Sequence, residues 1–491
     1  MLPPTDPAAN TFLGIIGGLG SLAGADLFLK LVKSQPVLAD QGRYHFLFEQ
    51  HPFKDVAVPL TAHASMTSRK FYVFQVCQSF QARQVDAVLL PCFATHTFRD
   101  ELQAELGIGL VDMMAGLREH VDRSPLQPTC LGVLTSDYVR QSKLFERYFG
   151  DRYTLVYPAA AAQEHLMDAV YGAQGIKAGH LEGPALEYVE SASLDVMGQG
   201  AEMVLPGMTE LSLVSPSLQQ RGVPCVDVNA VYADYATRSR TAAAPAPFKL
   251  GIVGGIGPAA TVDFMGKVVK HTPAGRDQDH IKMVVEQNPQ IPDRTAHLLH
   301  QDADPSVALY ATCKRLESEG AHAIAIPCNT AHAFVERIEP HLTIPIINML
   351  TETVAYIRRV HGAESPVGLL ATAGTVASRV YHEAADAVGL QLIVPDPAHQ
   401  DLVTSAIYGE QGVKAGWTEG VCVDQLMTAA EHLVRRGARV VILGCTELPL
   451  IAAHAPAVAL AGTTVAFVDP TTILAIRCVA LAKPAMQPAS A

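Results

Sequence analysis

The sequence repeats itself, and this repeat constrains the fold more than any other feature. The stretches "GIIGGLG", "PCFATHTF", "YGAQGIKAG" and "MTELSL" return in the same order as "GIVGGIG", "PCNTAHAF", "YGEQGVKAG" and "CTELPL". The first pair begins at Gly14 and Gly251, 237 residues apart, and the other three offsets are 236 or 237 residues. Solenoid repeats have periods of about 20–50 residues. We therefore interpret the pattern as a tandem duplication of a whole domain.

The duplication predicts where the domains begin and end. A chain of 491 residues exceeds what one hydrophobic core usually covers, so at least two domains are expected. We place one copy at residues 12–236 and the other at residues 249–482. The Ala/Pro/Arg-rich stretch 237–248 is the predicted linker, and we expect the tail 483–491 to be disordered.

Composition and charge exclude several classes of protein. Charged residues make up 17% of the chain and the formal net charge is −12, without a run of Lys and Arg, so we expect neither nucleic acid nor an anionic membrane as a partner. The start "MLPPTDPAANTF" lacks the basic and apolar regions of a signal peptide. Nine cysteines without a C-x-x-C pair are typical of reduced thiols. We predict a cytoplasmic protein without a metal site.

Within each copy, short apolar runs alternate with amphipathic helical patterns. In the second copy the strand-like runs are "KLGIVGGIG", "HIKMVVEQN", "AHAIAIPCN", "PVGLLAT", "LQLIVPD" and "RVVILGCTE". The helical patterns between them include "TVDFMGKVVKHT", "PSVALYATCKRLESEG" and "VDQLMTAAEHLVRRGA". Apolar strands joined by helical crossovers predict an α/β fold whose parallel sheets are covered on both faces.

Each copy also contains an inner repeat. "AIAIPCNTA" and "VVILGCTEL" both read as a buried strand, then Pro or Gly, a cysteine, and a small polar residue that opens a helix. The two cysteines, Cys328 and Cys445, are 117 residues apart, about half a copy. We infer two similar Rossmann-like α/β lobes in each copy, with the active-site cleft between them. Ligands of such folds bind beyond the C-terminal ends of the strands, so the two thiols are predicted to face each other.

Two opposed thiols suit one kind of chemistry. The positive end of a helix favours a thiolate, so we expect both thiols to have lowered pKa values. A thiolate on one face of a tetrahedral carbon can remove a proton while a thiol on the other face returns one. This inverts the centre without a cofactor. Because the α-proton of an amino acid is weakly acidic, the reaction needs a dry cleft and groups that stabilise the developing charge.

Candidate substrate-binding residues accompany the cysteines. Arg294, after "EQNPQIPD", has a planar guanidinium that suits a carboxylate, and Lys414 offers a second positive charge. Asn329 and Thr330 follow the first cysteine, Thr446 follows the second, and their side chains can donate hydrogen bonds to the same ligand. Two cations in one cleft favour a substrate with two carboxylates.

With these motifs in this order, the second copy resembles the aspartate/glutamate racemase family, and most of all the PLP-independent aspartate racemases. The matching stretches are "GGIGPAAT", "NPQIPDRTA", "PCNTAHAF", "LLATAGT", "YGEQGVKAG" and "GCTEL", and they span nearly all of the second copy. The resemblance implies that the two cysteines are the acid/base residues and that the arginine and the lysine bind carboxylates. It also implies a homodimer and a set of residues lining the substrate site: Asp293, Asn329 and Thr330.

The first copy departs from this pattern at the cysteines. Cys92 keeps the first thiol, but Phe93 and Ala94 follow it in place of the Asn-Thr pair. Met208 replaces the second cysteine, and a thioether has no proton to give. Lys177 keeps the lysine, whereas no arginine aligns with that of the second copy. We predict a catalytically degenerate partner domain, with a single-cysteine activity or a small-molecule sensor as alternatives.

The prediction for the whole chain is therefore a racemase acting on aspartate or glutamate in the second copy. Two alternatives stay open: a decarboxylase or cis–trans isomerase of a dicarboxylate that uses the same cysteine chemistry, and a non-catalytic amino-acid-binding protein. The glycine-rich "GIVGGIG" resembles a dinucleotide fingerprint only weakly, so we expect no nicotinamide cofactor. The expected partner is a dicarboxylic amino acid, and the two copies are expected to pair as a pseudo-dimer or the chain as a homodimer.

Overall fold

The computed structural model describes residues 11–40, 42–51, 53–238 and 247–483. The chain divides between Ala246 and Pro247 into two compact units, which we call the N-terminal and the C-terminal unit. The predicted linker, 237–248, lies largely outside the described residues, although residues 237 and 238 still belong to a helix. The predicted disordered tail lies outside them from residue 484 onward. Within the described part of the chain, no helix is both long and apolar enough to cross a membrane.

The N-terminal unit has two parallel sheets, one in each lobe. The first lobe has the strand order β2-β1-β3-β4, and the second has the order β6-β5-β7. An isolated parallel bridge between Val204 and Cys225 extends the second sheet beside β7. The strands are β1 (Thr11–Ile16), β2 (Tyr44–Glu49), β3 (Ala87–Leu89), β4 (Gly109–Leu110), β5 (Cys130–Thr135), β6 (Thr154–Val156) and β7 (Met203–Gly207).

Helices of the N-terminal unit connect these strands and cover the sheets. Three 3₁₀ helices, Lys54–Ala57, Ile176–Ala178 and Thr209–Leu213, lie between them. The α-helices are α1 (Ser21–Val32), α2 (Gln35–Ala39), α3 (Thr67–Ala82), α4 (Phe93–His96), α5 (Arg99–Gln103), α6 (Met113–Asp122), α7 (Asp137–Gln141), α8 (Leu144–Phe149), α9 (Ala160–Tyr171), α10 (Pro184–Gly198), α11 (Ser215–Gln220) and α12 (Val228–Arg238).

The C-terminal unit repeats this plan with a larger second sheet. Its first lobe has the order β9-β8-β10-β11 and its second lobe the order β13-β12-β14-β16-β15. The strands are β8 (Lys249–Gly254), β9 (Lys282–Gln287), β10 (Ala323–Ala325), β11 (Ile346–Ile347), β12 (Val367–Ala371), β13 (Leu392–Ile393), β14 (Val440–Gly444), β15 (Ala455–Leu460) and β16 (Thr463–Val468).

The helices of the C-terminal unit follow the strands in the same alternation. Five 3₁₀ helices lie at Asp277–Asp279, Thr330–Phe334, Glu339–His341, Val413–Ala415 and Leu448–Leu450. The α-helices are α13 (Pro258–His271), α14 (Arg294–His300), α15 (Ser306–Ser318), α16 (Val335–Ile338), α17 (Met349–His361), α18 (Ala373–Ala377), α19 (Val380–Asp386), α20 (Pro397–Tyr408), α21 (Val421–Arg435) and α22 (Pro470–Ala482).

The predicted fold class is confirmed. The same strand order occurs in every lobe. The first strand of the lobe lies between the second strand on one side and the third strand on the other. The central strands β12 and β14 are buried along their whole length, as expected for sheets with helices on both faces. Two similar α/β lobes per unit follow from this repeated order.

One element departs from the prediction of purely parallel sheets. Strands β15 and β16 pair antiparallel at the edge of the last sheet, and only two residues, Ala461 and Gly462, join them. Both have positive φ angles, 48° and 76°, which matches a tight hairpin turn of the primed type. Strand β11 also went unpredicted.

The last helix of the C-terminal unit returns to the first lobe. The Asp469 carboxylate caps α22 by accepting a hydrogen bond from the backbone N–H of Thr471 at 2.8 Å. The same carboxylate, 1% exposed, forms an ion pair with Lys267 of α13 at 2.6 Å. Beyond this end, Leu474 and Cys478 pack into the core beneath β8. Helix α22 thus ties the second lobe to the first.

Candidate active site

Cys328 follows strand β10 and is held by its backbone. Its N–H donates to the carbonyl of Ile326 at 2.8 Å, and its own carbonyl accepts a hydrogen bond from Nδ1 of His332 at 2.9 Å. The other ring nitrogen, Nε2, accepts from the backbone N–H of Met349 at 3.1 Å, so the imidazole is neutral with its proton on Nδ1. Burial lowers the pKa of His332 to about 4. This histidine positions the cysteine loop, in agreement with a structural role.

Neither cysteine opens an α-helix of useful length. A five-residue 3₁₀ helix begins two residues after Cys328, and a three-residue one begins three residues after Cys445. The helix-dipole argument for two lowered thiol pKa values therefore does not apply here. For Cys445 the prediction is wrong in direction, because burial and the nearby carboxylate of Glu447 raise its pKa well above the ordinary value.

Arg294 is the first residue of α14 and lies buried beside Cys328. Its Nη1 donates to the carbonyl of Pro292 at 3.1 Å. Burial alone would lower the pKa of Arg294, but interaction with the Cys328 thiol and with Asp293 raises it above its ordinary value. The Nε atom of Arg294 is buried without a hydrogen-bond partner, which makes it available to an anionic ligand.

A second cation lies at the other cysteine. Lys414 Nζ is 3.2 Å from one carboxylate oxygen of Glu447, whose other oxygen accepts hydrogen bonds from Cys445 Sγ at 3.0 Å and Thr446 Oγ1 at 3.3 Å. Burial would lower the pKa of Lys414, but Glu447, Cys445 and, more weakly, Cys328 raise it above the ordinary value. Lys414 is thus an electrostatic neighbour of both thiols.

Polar side chains connect the two lobes beside Cys328. The amide oxygen of Asn329 accepts a hydrogen bond from the hydroxyl of Tyr381 at 2.6 Å, and its Nδ2 is buried without a partner. The hydroxyl of Thr330 lies 2.8 Å from that of Thr375 and 3.1 Å from that of Thr372. Both predicted residues therefore lie at the boundary between the lobes.

Asp293 has a different local role. Its carboxylate caps α14 by accepting a hydrogen bond from the backbone N–H of Ala296 at 2.7 Å, and the residue itself is exposed. The cap fixes the start of the helix and hence the position of Arg294. A direct contact between Asp293 and substrate stays a prediction.

Three residues at the site escaped the sequence prediction: Gly257, Tyr408 and Glu447. Glu447 holds both Lys414 and the second thiol, and a Cβ on Gly257, whose φ is 121°, would lie 2.7 Å from the Glu447 carboxylate. The Tyr408 ring lies 5.2 Å from Lys414 Nζ, and burial followed by the Cys445 charge raises its pKa to about 12. The signal was present, because both copies keep all three residue types at the matching positions.

The N-terminal unit supplies an arginine by a different route. The sequence comparison found none aligned with Arg294, yet Arg69 of α3 is buried and its Nη1 donates to Cys92 Sγ at 3.6 Å. The guanidinium comes from another helix and so was invisible to alignment. Cys92, Lys177 and Met208 line one cavity in this unit, with Arg69.

One group of three residues in the described part of the chain could bring metal ligands together: Asp396, His399 and His432. The two imidazoles stack with centroids 3.8 Å apart and planes 15° apart. Imidazole lone pairs lie in the ring plane, so two nearly parallel stacked rings do not converge on an ion about 2 Å from each. Asp396 caps α20 through the N–H of His399 at 3.0 Å, and this accounts for its position.

Several known proteins are similar to this chain. A family model described as Asp/Glu/Hydantoin racemase matches residues 16–236 and 253–478. The broad specificity amino-acid racemase RacX of Bacillus subtilis is 26% identical over 209 residues, which cover 42% of this chain and 88% of RacX. The glutamate racemase of Koribacter versatilis is 31% identical over 153 residues, or 30% of this chain and 49% of that protein. The Picrophilus torridus aspartate racemase structure has a TM-score of 0.41 at 28% identity, covering 48% of this chain and 94% of that one.

Proposed function

Because this chain belongs to the Asp/Glu/hydantoin racemase family, we propose that its C-terminal unit interconverts the enantiomers of an acidic amino acid. The substrate is aspartate in preference to glutamate, and the reaction needs no cofactor. Cys328 and Cys445 carry the proton transfer. The unpaired state of all nine cysteines favours a reducing compartment, and a cytoplasmic location is part of the proposal.

The proposal gives each thiol its own role in the first proton transfer. Cys328, beside the buried guanidinium of Arg294, acts as the base that removes the α-proton from one face. Cys445 keeps its proton through the bond to Glu447 and delivers it to the opposite face. After one turnover Cys328 carries the proton and Cys445 is the thiolate. The reverse reaction therefore uses the same two groups with exchanged roles.

The observation that carries the proposal is that each cysteine follows a strand of a different lobe and has a cation nearby. Cys328 lies beside the buried guanidinium of Arg294, and Cys445 donates a hydrogen bond to Glu447, whose carboxylate is 3.2 Å from Lys414 Nζ. The duplicated unit supports the same reading, because Cys92 and Met208, at the positions of the two thiols, line one cavity.

Two buried donors support the choice of an acidic amino acid. Arg294 Nε and Asn329 Nδ2 lie on the Cys328 side without hydrogen-bond partners and suit the α-carboxylate. Lys414, on the Cys445 side, then suits the side-chain carboxylate. Charge growing on the α-carbon in the transition state is spread into the carboxylate held by these donors.

The test is racemisation in deuterated water, followed by chiral chromatography and mass spectrometry, with L-aspartate and L-glutamate as substrates. We expect deuterium at Cα of the product, and a loss of about 1,000-fold or more in kcat for Cys328→Ser and for Cys445→Ser. The matched control is Cys92→Ser in the N-terminal unit, which should leave the rate unchanged. Substantial activity in either C-terminal variant would reject the two-thiol mechanism, and release of carbon dioxide would point to decarboxylation instead.

A further inference from the structure

The N-terminal unit has a cavity of its own at the place that corresponds to the proposed racemase site. Arg69, Cys92, Phe93, Lys177 and Met208 are among the residues that line it. The cavity encloses about 310 Å³ that protein atoms do not fill, part of it open to solvent, and the centres of water molecules can occupy about 20 Å³. One water needs about 10–15 Å³ of such room, so a larger ligand enters only when the side chains that line the cavity move apart, and this favours a small ligand.

The charges in this cavity leave one cation without a carboxylate. Lys177 forms an ion pair with Glu210 and its side chain is only 13% exposed, whereas the Lys414 side chain is 28% exposed beside Glu447. Arg69 is 4% exposed, donates to the sulfur of Cys92, and has no ion pair with a carboxylate within the described residues. A buried guanidinium is costly without an anion, and its planar fork suits one carboxylate. The cavity therefore favours a ligand with a single negative charge.

The wall that adjoins Cys92 has lost three polar side chains of the C-terminal unit, although Ser136 keeps a hydroxyl where that unit has Thr372. Phe93, Ala94 and Val139 stand where that unit has Asn329, Thr330 and Thr375. The Phe93 ring stacks on Phe145 with centroids 5.5 Å apart and planes 23° apart. Such a wall contacts an apolar ligand body better than an amino acid with its ammonium group.

The second proton carrier is missing as well. Met208, buried against the cavity, has a thioether in place of the thiol of Cys445. A molecule bound here can meet the sulfur of Cys92 on one side but finds no proton donor at the position of the second thiol. A ligand can thus bind in this cavity without being racemised.

We propose that the N-terminal unit binds a small monocarboxylate with an apolar body, held on Arg69, and does not racemise it. This site is independent of the C-terminal thiols. Its loss and the loss of racemase activity are therefore separable by mutation.

The experiment is isothermal titration calorimetry of the full chain with 3-methylbutanoate, with 3-methylbutanamide as the uncharged isostere and L-aspartate as the amino acid. We expect 3-methylbutanoate to bind and the amide to bind at least about ten-fold more weakly. The variant Arg69→Met should weaken 3-methylbutanoate binding at least about ten-fold and leave aspartate racemisation unchanged. The matched variant Arg294→Met should abolish racemisation and leave 3-methylbutanoate binding intact.

Three outcomes would overturn the proposal: no binding of 3-methylbutanoate to the wild-type chain, equal binding of the acid and the amide, or wild-type affinity in a folded Arg69→Met protein. If circular dichroism shows that Arg69→Met is unfolded, Arg69→Lys replaces it. That variant keeps the charge but loses the fork, so weaker binding supports the proposal and unchanged binding rejects it. Failure of racemisation with intact 3-methylbutanoate binding would contradict the proposed function alone.

Discussion

Replacing Glu447 by Gln should change both the rate and the pH dependence of racemisation. The Glu447 carboxylate accepts a hydrogen bond from Cys445 Sγ at 3.0 Å and lies 3.2 Å from Lys414 Nζ. Its negative charge, after burial, is the main reason that the pKa of Cys445 is raised. Glutamine keeps the size of the side chain and removes the charge, so the thiol loses the partner that keeps it protonated.

The size of the effect follows from this contact. A hydrogen bond to a charged group contributes about 1.5–3 kcal/mol. Removing it should lower the pKa of Cys445 by about 1–2 units, at 1.36 kcal/mol per unit. The alkaline limb of the kcat/KM profile, where Cys445 loses its proton, should shift to lower pH by the same amount. At a pH above both pKa values we expect kcat/KM to fall about 10- to 100-fold, whereas well below both pKa values this effect should vanish.

The assay is initial-rate racemisation of L- and D-aspartate between pH 6 and pH 10. Because the two enantiomers have equal free energies, kcat/KM must fall equally in both directions. The matched control is Glu210→Gln, since Glu210 is also buried, follows the same "MTEL"-type motif and is paired with Lys177. A wild-type profile in Glu447→Gln, or an equal loss in Glu210→Gln, would refute the assignment of Cys445 as the protonated partner.

Three further predictions concern the scaffold around the site. The pKa of His332 is about 4 in the folded chain and about 6.5 in the unfolded chain, so the unfolded chain binds the extra proton between these values. The free energy of unfolding should therefore decrease as the pH is lowered from 7, by about 2 kcal/mol at pH 5. Urea unfolding of His332→Asn should show a shallower pH dependence than the wild type, and parallel curves would contradict this. Lys267→Met leaves the buried Asp469 carboxylate without its ion-pair partner and should lower the free energy of unfolding by about 3 kcal/mol. Urea titrations measure this, and an unchanged free energy would show that the ion pair contributes nothing. Gly257→Ala places a Cβ against the Glu447 carboxylate, at a residue whose φ angle is 121°. We therefore expect kcat to fall about ten-fold or more with little change in KM. Unchanged kinetics would show that the side chains around residue 257 move to relieve the contact.

The sequence predicted those features that the duplication repeats. Strands, crossover helices and the cysteines at strand ends leave local patterns, and each pattern occurs twice or more. The α/β fold and the two lobes per unit therefore followed from the residues alone, and the hydrophobic runs placed β12 and β14 correctly. The hairpin of β15 and β16 went unrecognised, since its short Ala/Val/Thr runs are joined by Ala461–Gly462, which lacks the usual Asn-Gly or Asp-Gly signal.

Contacts between distant residues could not be predicted in the same way. The helix expected after Cys445 is a three-residue 3₁₀ turn, and the electrostatics there come from Glu447 rather than from a helix dipole. Arg69 reaches Cys92 from a helix that begins at Thr67, so alignment with Arg294 had no means of finding it. Such contacts depend on the positions of side chains that are distant in the sequence. These positions are set by the tertiary fold and leave no local pattern in the sequence.

The aromatic pair beside Cys92 limits how parts of the two units can be exchanged. Asn329 and Tyr381 form a hydrogen bond at 2.6 Å in one unit, and Phe93 stacks on Phe145 in the other. Grafting only one member of either pair would bury a hydroxyl or an amide against a phenyl ring, at about 1–3 kcal/mol for the group left unsatisfied. Chimaeras between the two units must therefore carry both partners of a pair. The same free-energy cost would have applied to each single substitution by which the two copies diverged.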